Sequence, residues 1–201
     1  MRNDYSFRMA PSRRRSRDTR AAVLEAALDL FNERGYDGTP MPLVAERAGV
    51  GAGTIYRHFA GKEELGNAVF RACKLEMHRH LAGSGAAAGS PRDGFRALWR
   101  GLWDFARKSP AAFRFLETHH HAPYLDDASR AVSDALFAHV TDFVRRAQAA
   151  GALRAGDPAL LIAMAFGAFV GLVKEADLGR FALDEQAIAA SEEAAWSMLR
   201  A

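Results

Sequence analysis

The stretch from Pro42 to Phe59, PLVAERAGVGAGTIYRHF, most constrains what this chain folds into. It predicts two short helices hinged at a glycine. The first spans roughly Pro42 to Ala48, with Pro42 in the opening turn, where a missing backbone N–H costs nothing. Gly49 ends it, at a position that favours a left-handed backbone. The second spans about Gly51 to His58. Ala45 is small where a crossing helix must come close, and Val44, Val50, Ile55 and Phe59 give the pair an apolar inside. This is the pattern of a helix-turn-helix, whose second helix lies in the DNA major groove. Many helix pairs join through a glycine, so the flanking sequence must support the reading.

The distribution of charge supports it. The chain has 27 Lys and Arg against 24 Asp and Glu in 201 residues, for a net charge of +3. Residues 1–20 carry +5 and residues 1–80 carry +4, whereas residues 81–201 carry −1. An anionic partner is therefore expected at the N-terminal end. Arg13, Arg14, Arg15 and Arg17 fall in residues 1–17, read as a basic flexible arm. That arm is either a solvated tail or a segment that neutralises phosphates or enters a minor groove.

Other classes are excluded by composition. The single cysteine, Cys73, rules out an intrachain disulfide and points to a reducing, cytoplasmic compartment. The longest uncharged apolar run, Ala159 to Val173, has 15 residues. A bilayer span needs ~20, so the run is read as a buried helix and no membrane partner is expected. No apolar segment follows the basic N-terminus, so no signal peptide is expected.

The rest of the chain reads as helices. Asp18 is a candidate N-cap for Thr19 to Arg34, where Val23, Ala27, Leu30 and Phe31 share a face and Gly35 closes the helix. Thr39 is a candidate cap for the next helix, with Pro40 at its first position. Gly61 and Lys62 open a helix to about Ala82. The small, flexible residues 82–91 mark the domain boundary. Further helices are expected over Pro91 to Lys108, from Ser109-Pro110 to His120, from Asp126 or Asp127 to Ala150, from Asp157-Pro158 to about Leu178, and from Asp184 to near Arg200. No segment alternates like a strand. The class is all-α, with about nine helices in three segments, 1–17, 18–82 and 83–201.

Residues Thr19 to Leu65 contain LFNERGYDGT, VAERAGV, GTIYRHF and GKEEL in that order. In order and spacing this resembles transcription regulators of the tetracycline-repressor (TetR/AcrR) family. The resemblance implies an N-terminal three-helix DNA-binding domain and a C-terminal helical domain for ligand binding and dimerisation. It implies a homodimer on a near-palindromic double-stranded DNA operator. Thr39 matches a hydroxyl that meets phosphate. Gly51, Ala52, Gly53 and Thr54 match the front of the recognition helix, Tyr56, Arg57 and His58 its exposed face, and Lys62 a phosphate clamp. Pro40 and Pro42, and Gly51 and Ala52, depart from the polar residues usual at these places. Base readout is therefore expected to rest on Thr54, Tyr56 and Arg57. Arg57 has the chemistry to donate two hydrogen bonds to a guanine edge.

A regulator needs an input. Trp99, Trp103, Phe113, Leu116, His120, Tyr124, Phe137 and Phe166 are candidates to line an apolar cavity for a small hydrophobic effector, the alternative being an ordinary packed core. His119, His120 and His121 are adjacent and so point ~100° apart on a helix, which does not converge on one ion. Glu117 and His121, four apart, share a face and could chelate, but a pocket or interface role is preferred, and no metal or cofactor is expected. Cys73 is read as structural. The stripe Leu160, Ala163, Gly167, Val170 and Gly171, with Ile188, Trp196 and Leu199, is a candidate dimer interface, the alternative being an intrachain core. The function expected is a ligand-responsive repressor released from its operator by its effector. The alternative is a helical interaction or ligand-binding protein with degenerate DNA binding. An enzyme using residues 117–121 is disfavoured, because no nucleophile–base pair, phosphate loop or metal-spaced set is present.

Overall fold

The structure is a computed structural model that describes residues 12–82, 89–118 and 120–201, with side chains from residue 19 onward. Among these residues it holds nine α-helices and no strand. They are α1 (Ser12–Arg34), α2 (Met41–Arg47), α3 (Ala52–His58), α4 (Lys62–Ala82), α5 (Pro91–Lys108), α6 (Pro110–Thr118), α7 (Asp127–Ala149), α8 (Pro158–Asp177) and α9 (Glu185–Leu199). The all-α class and the element order match the expectation.

The chain divides into two compact units between Val69 and Phe70, not in the 82–91 segment. A small-residue composition does not say which core the preceding helix serves. The buried residues Phe70, Cys73, Met77 and Leu81 recur every three or four positions along α4. That stripe belongs to the second unit.

In the first unit, α1 begins at Ser12 rather than Thr19, so Asp18 is interior and not a cap. Nothing between Ser12 and Arg34 is a glycine or proline, and arginine is a good helix former. Residues 12–17 are thus helical rather than a flexible arm. The side chains of Arg13, Arg14, Arg15 and Arg17, and all of residues 1–11, lie outside the described residues. Val23, Ala27, Leu30 and Phe31 are fully buried, against Met41, Val44 and Ala45 of α2 and Ile55 of α3 in the same small core. Gly49 adopts φ +65°, the left-handed turn that lets α3 cross α2. Arg20 lays its guanidinium over the Phe59 ring, 5.1 Å from the centroid.

In the second unit α7, α8 and α9 open on side-chain caps. Asp126 accepts from the N–H of Ser129 at 2.7 Å, Asp157 from Ala159 at 2.8 Å, and Asp184 from Ala187 at 2.8 Å. Each cap satisfies an otherwise orphaned helix donor, worth ~1 kcal/mol. The core is aromatic and centred on Phe169. Its ring meets Trp103 at 4.8 Å, Trp99 at 5.8 Å, Phe113 at 5.8 Å and Phe166 at 6.2 Å between centroids. α9 is locked onto α5 by polar ties. Arg92 pairs with the buried Glu192 and with Glu193, and the Trp99 indole N–H donates to Ser191 Oγ at 3.1 Å.

Candidate functional site

The first unit presents α3 outward. Ile55 and Phe59 are buried at 0% and 1% exposure and root the helix in the core. Gly53, Tyr56 and Arg57, three and four apart, therefore share the opposite face, and all three are exposed. Tyr56 is 52% exposed, which favours a surface role over packing beneath the turn. An Arg57 guanidinium nitrogen donates to Thr54 Oγ1 at 3.2 Å, which restrains the fork before any ligand arrives. Gly51 and Ala52 are also exposed, and His58 is half-buried beside Phe59. A Cβ at Gly53 would meet nothing within 4 Å, so the protein itself does not require a glycine there. Lys62 Nζ donates to the Asp37 carbonyl at 3.1 Å and sits 4.6 Å over the Tyr36 ring, which fixes its charge beside the turn after α1.

Thr39 corrects the expectation. It is 1% exposed, and its Oγ1 lies 2.9 Å from the Gly35 carbonyl and 3.2 Å from that of Leu30. The hydroxyl donates to carbonyls at and just before the end of the α1 segment, so it faces inward and not towards a phosphate. Nor does Thr39 cap α2, whose N-cap is Pro40 without any side-chain bond.

The second unit holds an apolar cavity of about 100 Å³. All 15 lining residues are apolar, among them Met77 and Leu81 of α4, Trp99 of α5, Val140 and Phe143 of α7, and Phe166 of α8. Of the expected ligand residues, Trp99 and Phe166 line it. Trp103 and Phe113 pack around Phe169 instead, and Leu116 is buried outside the lining. Phe137 is 48% exposed and His120 is exposed, so neither points into a core. Tyr124 is half-buried and serves His121. Sequence reasoning missed Met77, Leu81 and Val140. Met77 and Leu81 are buried and Val140 is half-buried, but nothing in a periodicity names the helix across the gap.

His121 is buried with both ring nitrogens engaged. Nε2 lies 2.9 Å from the Phe115 carbonyl and Nδ1 lies 2.6 Å from the Tyr124 hydroxyl. A carbonyl only accepts, so Nε2 carries the proton. The chelate with Glu117 is thereby closed off, and α6 ends at Thr118, before His121. His119 lies outside the described residues. Cys73 is 3% exposed, and burial pushes its thiol up to about 12. Against an ordinary thiol near 9 that is roughly 1000-fold less thiolate at neutral pH. Native protein at pH 8 is therefore expected to resist iodoacetamide and to react fully in urea. Rapid native labelling would mean that the second unit opens readily.

The α8 stripe is exposed in the single chain. Leu160 is 59% exposed and Met164 37%, and Ala163, Gly167 and Gly171 are exposed as well, with Val170 half-buried. By length and composition α8 alone among the described helices is long and apolar enough to cross a membrane. Its buried residues are only Leu161, Phe169 and Val173, so the expectation of a buried helix fails for most of its circumference. Ile188 and Leu199 are each 3% exposed within the chain and belong to its core, not to an outer interface. Trp196 is half-buried between Phe95, 5.4 Å away, and the Arg92 guanidinium, 5.2 Å away.

Comparison with known proteins joins these two halves. Residues 23–69 match the family described as bacterial regulatory proteins, tetR family, and residues 70–201 match the tetracyclin repressor-like C-terminal domain. The chain is 47% identical over 60 residues to the uncharacterized HTH-type transcriptional regulator YhgD of Bacillus subtilis, covering 30% of this chain and 31% of that one. It is 31% identical over 129 residues to the HTH-type transcriptional repressor KstR2 of Mycobacterium tuberculosis, covering 61% of this chain and 58% of that one. The match thus spans less than two thirds of either relative. A TetR family transcription regulator from Marinobacter aquaeolei has the same fold, with a TM-score of 0.84, 24% identity, and 94% and 98% of the two chains covered. The second match takes in the whole cavity-bearing unit and ends the first match at the residue where the structure itself divides. The chain belongs to the tetR family of bacterial regulatory proteins.

Proposed function

We propose that this protein is a cytoplasmic, ligand-responsive transcriptional repressor, not an enzyme, that binds a palindromic DNA operator as a homodimer and is released by a small hydrophobic effector. The observation that carries this reading is the exposed α3 face of Gly53, Tyr56 and Arg57 on a rooted helix, in a chain whose other unit holds an apolar cavity. Arg57 reads a guanine edge through two hydrogen bonds, worth ~1–3 kcal/mol of discrimination. Tyr56, Thr54 and Lys62 meet phosphates, and bare Gly51 and Gly53 let the DNA backbone come close. The exposed apolar side of α8 pairs with its copy.

The size of the cavity suggests how release works. About 100 Å³ is below the ~300 Å³ of the smallest drug-sized sites, so an effector must enlarge it. Met77 and Leu81 of α4 are among the walls that give way. A shifted α4 changes the separation of two recognition helices that must sit ~34 Å apart on successive grooves. To swing occupancy from 99:1 to 1:99, the effector must prefer the released state by ~5.5 kcal/mol.

The test is selection from a random duplex pool with purified protein. The expected result is a palindrome whose binding weakens about ten- to hundredfold with Arg57→Ala, most at one guanine position, and weakens with Tyr56→Ala across sequences. If only salt-sensitive, sequence-independent binding is recovered, the second reading gains: a helical ligand-binding protein in which Gly51 and Ala52 have removed base readout.

A further inference from the structure

Within the second unit, α4 and α7 bring one imidazole each to the same place. The ring centroids of His78 and His139 are 5.6 Å apart, with an interplanar angle of 44°. Both residues are half-buried, so solvent reaches the pair while the surrounding helices restrain it. Among the described residues neither ring makes a hydrogen bond or an ion pair. The contrast with the neighbouring histidines is informative, since His80 faces Glu76 and His121 has both nitrogens engaged.

The separation suits a shared cation. An imidazole nitrogen binds Zn²⁺ at ~2.0–2.1 Å, with the ring centroid ~1.1 Å behind it, so the metal stands ~3.2 Å from each centroid. Centroids 5.6 Å apart then subtend about 120° at the metal, close to the ~109° of tetrahedral coordination. We propose that His78 and His139 form a two-imidazole site for a divalent transition-metal cation of the Zn²⁺ class. No group of three His, Cys, Asp or Glu among the described residues could hold a metal, so water completes the coordination and the affinity is modest. The residue before His78, Met77, and the residue after His139, Val140, line the apolar cavity. A bound cation therefore clamps the two helices that wall it. The proposal is independent of operator binding.

The full chain is titrated with ZnCl₂ by calorimetry, and its urea unfolding is followed with ZnCl₂ or EDTA present. One Zn²⁺ per chain is expected, reversed by EDTA, with a folding equilibrium shifted ~100-fold when Zn²⁺ is at 100 times its Kd. His78→Gln and His139→Gln are each expected to lower Zn²⁺ affinity at least tenfold with unchanged helical content, and His120→Gln to leave it unchanged. No Zn²⁺ binding by the wild type up to 1 mM, or wild-type affinity in the doubly substituted protein, would overturn the proposal.

Discussion

Gly101→Val is expected to destabilise the second unit by about 3 kcal/mol, the upper end of ordinary overpacking. Gly101 is buried on α5 where that helix touches the end of α4. A Cβ there would stand 2.8 Å from the His80 carbonyl oxygen, 3.2 Å from the His80 carbonyl carbon and 3.3 Å from Leu81 Cα. These are backbone atoms of a helix and cannot rotate aside, so α5 must withdraw from α4. The withdrawal also spreads Leu98, Leu102 and Leu81, which line the cavity. All three tryptophans, Trp99, Trp103 and Trp196, lie in the second unit, so their fluorescence in urea reports on it directly. Gly53→Ala is the control, because a Cβ there meets nothing and the helix gains up to ~1 kcal/mol. An unchanged urea midpoint for Gly101→Val would mean that the α4–α5 contact is looser than its backbone distances imply.

Much of this fold is legible in the sequence because its signals are local. Asp126, Asp157 and Asp184 each bond a backbone N–H within three residues, and Gly49 needs its left-handed φ for one turn. Such features need no knowledge of the rest of the chain. The orientation of α3 is equally readable, since burial of Ile55 and Phe59 leaves only one side for Tyr56 and Arg57.

What sequence reasoning missed depends on partners far along the chain. Thr39 looks like a surface hydroxyl until the carbonyl of Leu30 is placed 3.2 Å away. The aromatic residues of α5 and α6 share one composition, yet Trp99 faces a cavity while Trp103 faces Phe169. Helical periodicity gives a buried side but not the neighbour on it. The same limit explains Ile188 and Leu199, apolar positions that α9 turns into its own chain.

Gly167→Arg is expected to leave the chain folded but to break the proposed homodimer into monomers, with operator affinity falling about 10²- to 10⁴-fold through lost avidity. A Cβ at Gly167 meets no heavy atom within 4 Å, and the same holds at Gly171, so neither glycine is required by packing inside one chain. Glycine in a helix interior nonetheless costs up to ~1 kcal/mol against alanine. Two such residues on an exposed stripe with Leu160 and Met164 make sense where a second helix comes close. An arginine at 167 would hold that helix off and would lose its hydration on contact, a penalty far above the helix propensity gained. Circular dichroism of the variant should match the wild type, and light scattering should give half the mass at the same concentration. Ala135→Arg, on the exposed side of α7, is the matched control and should remain dimeric. A dimeric Gly167→Arg protein with wild-type operator affinity would place the interface elsewhere and leave the apolar side of α8 to be covered by something other than a second copy.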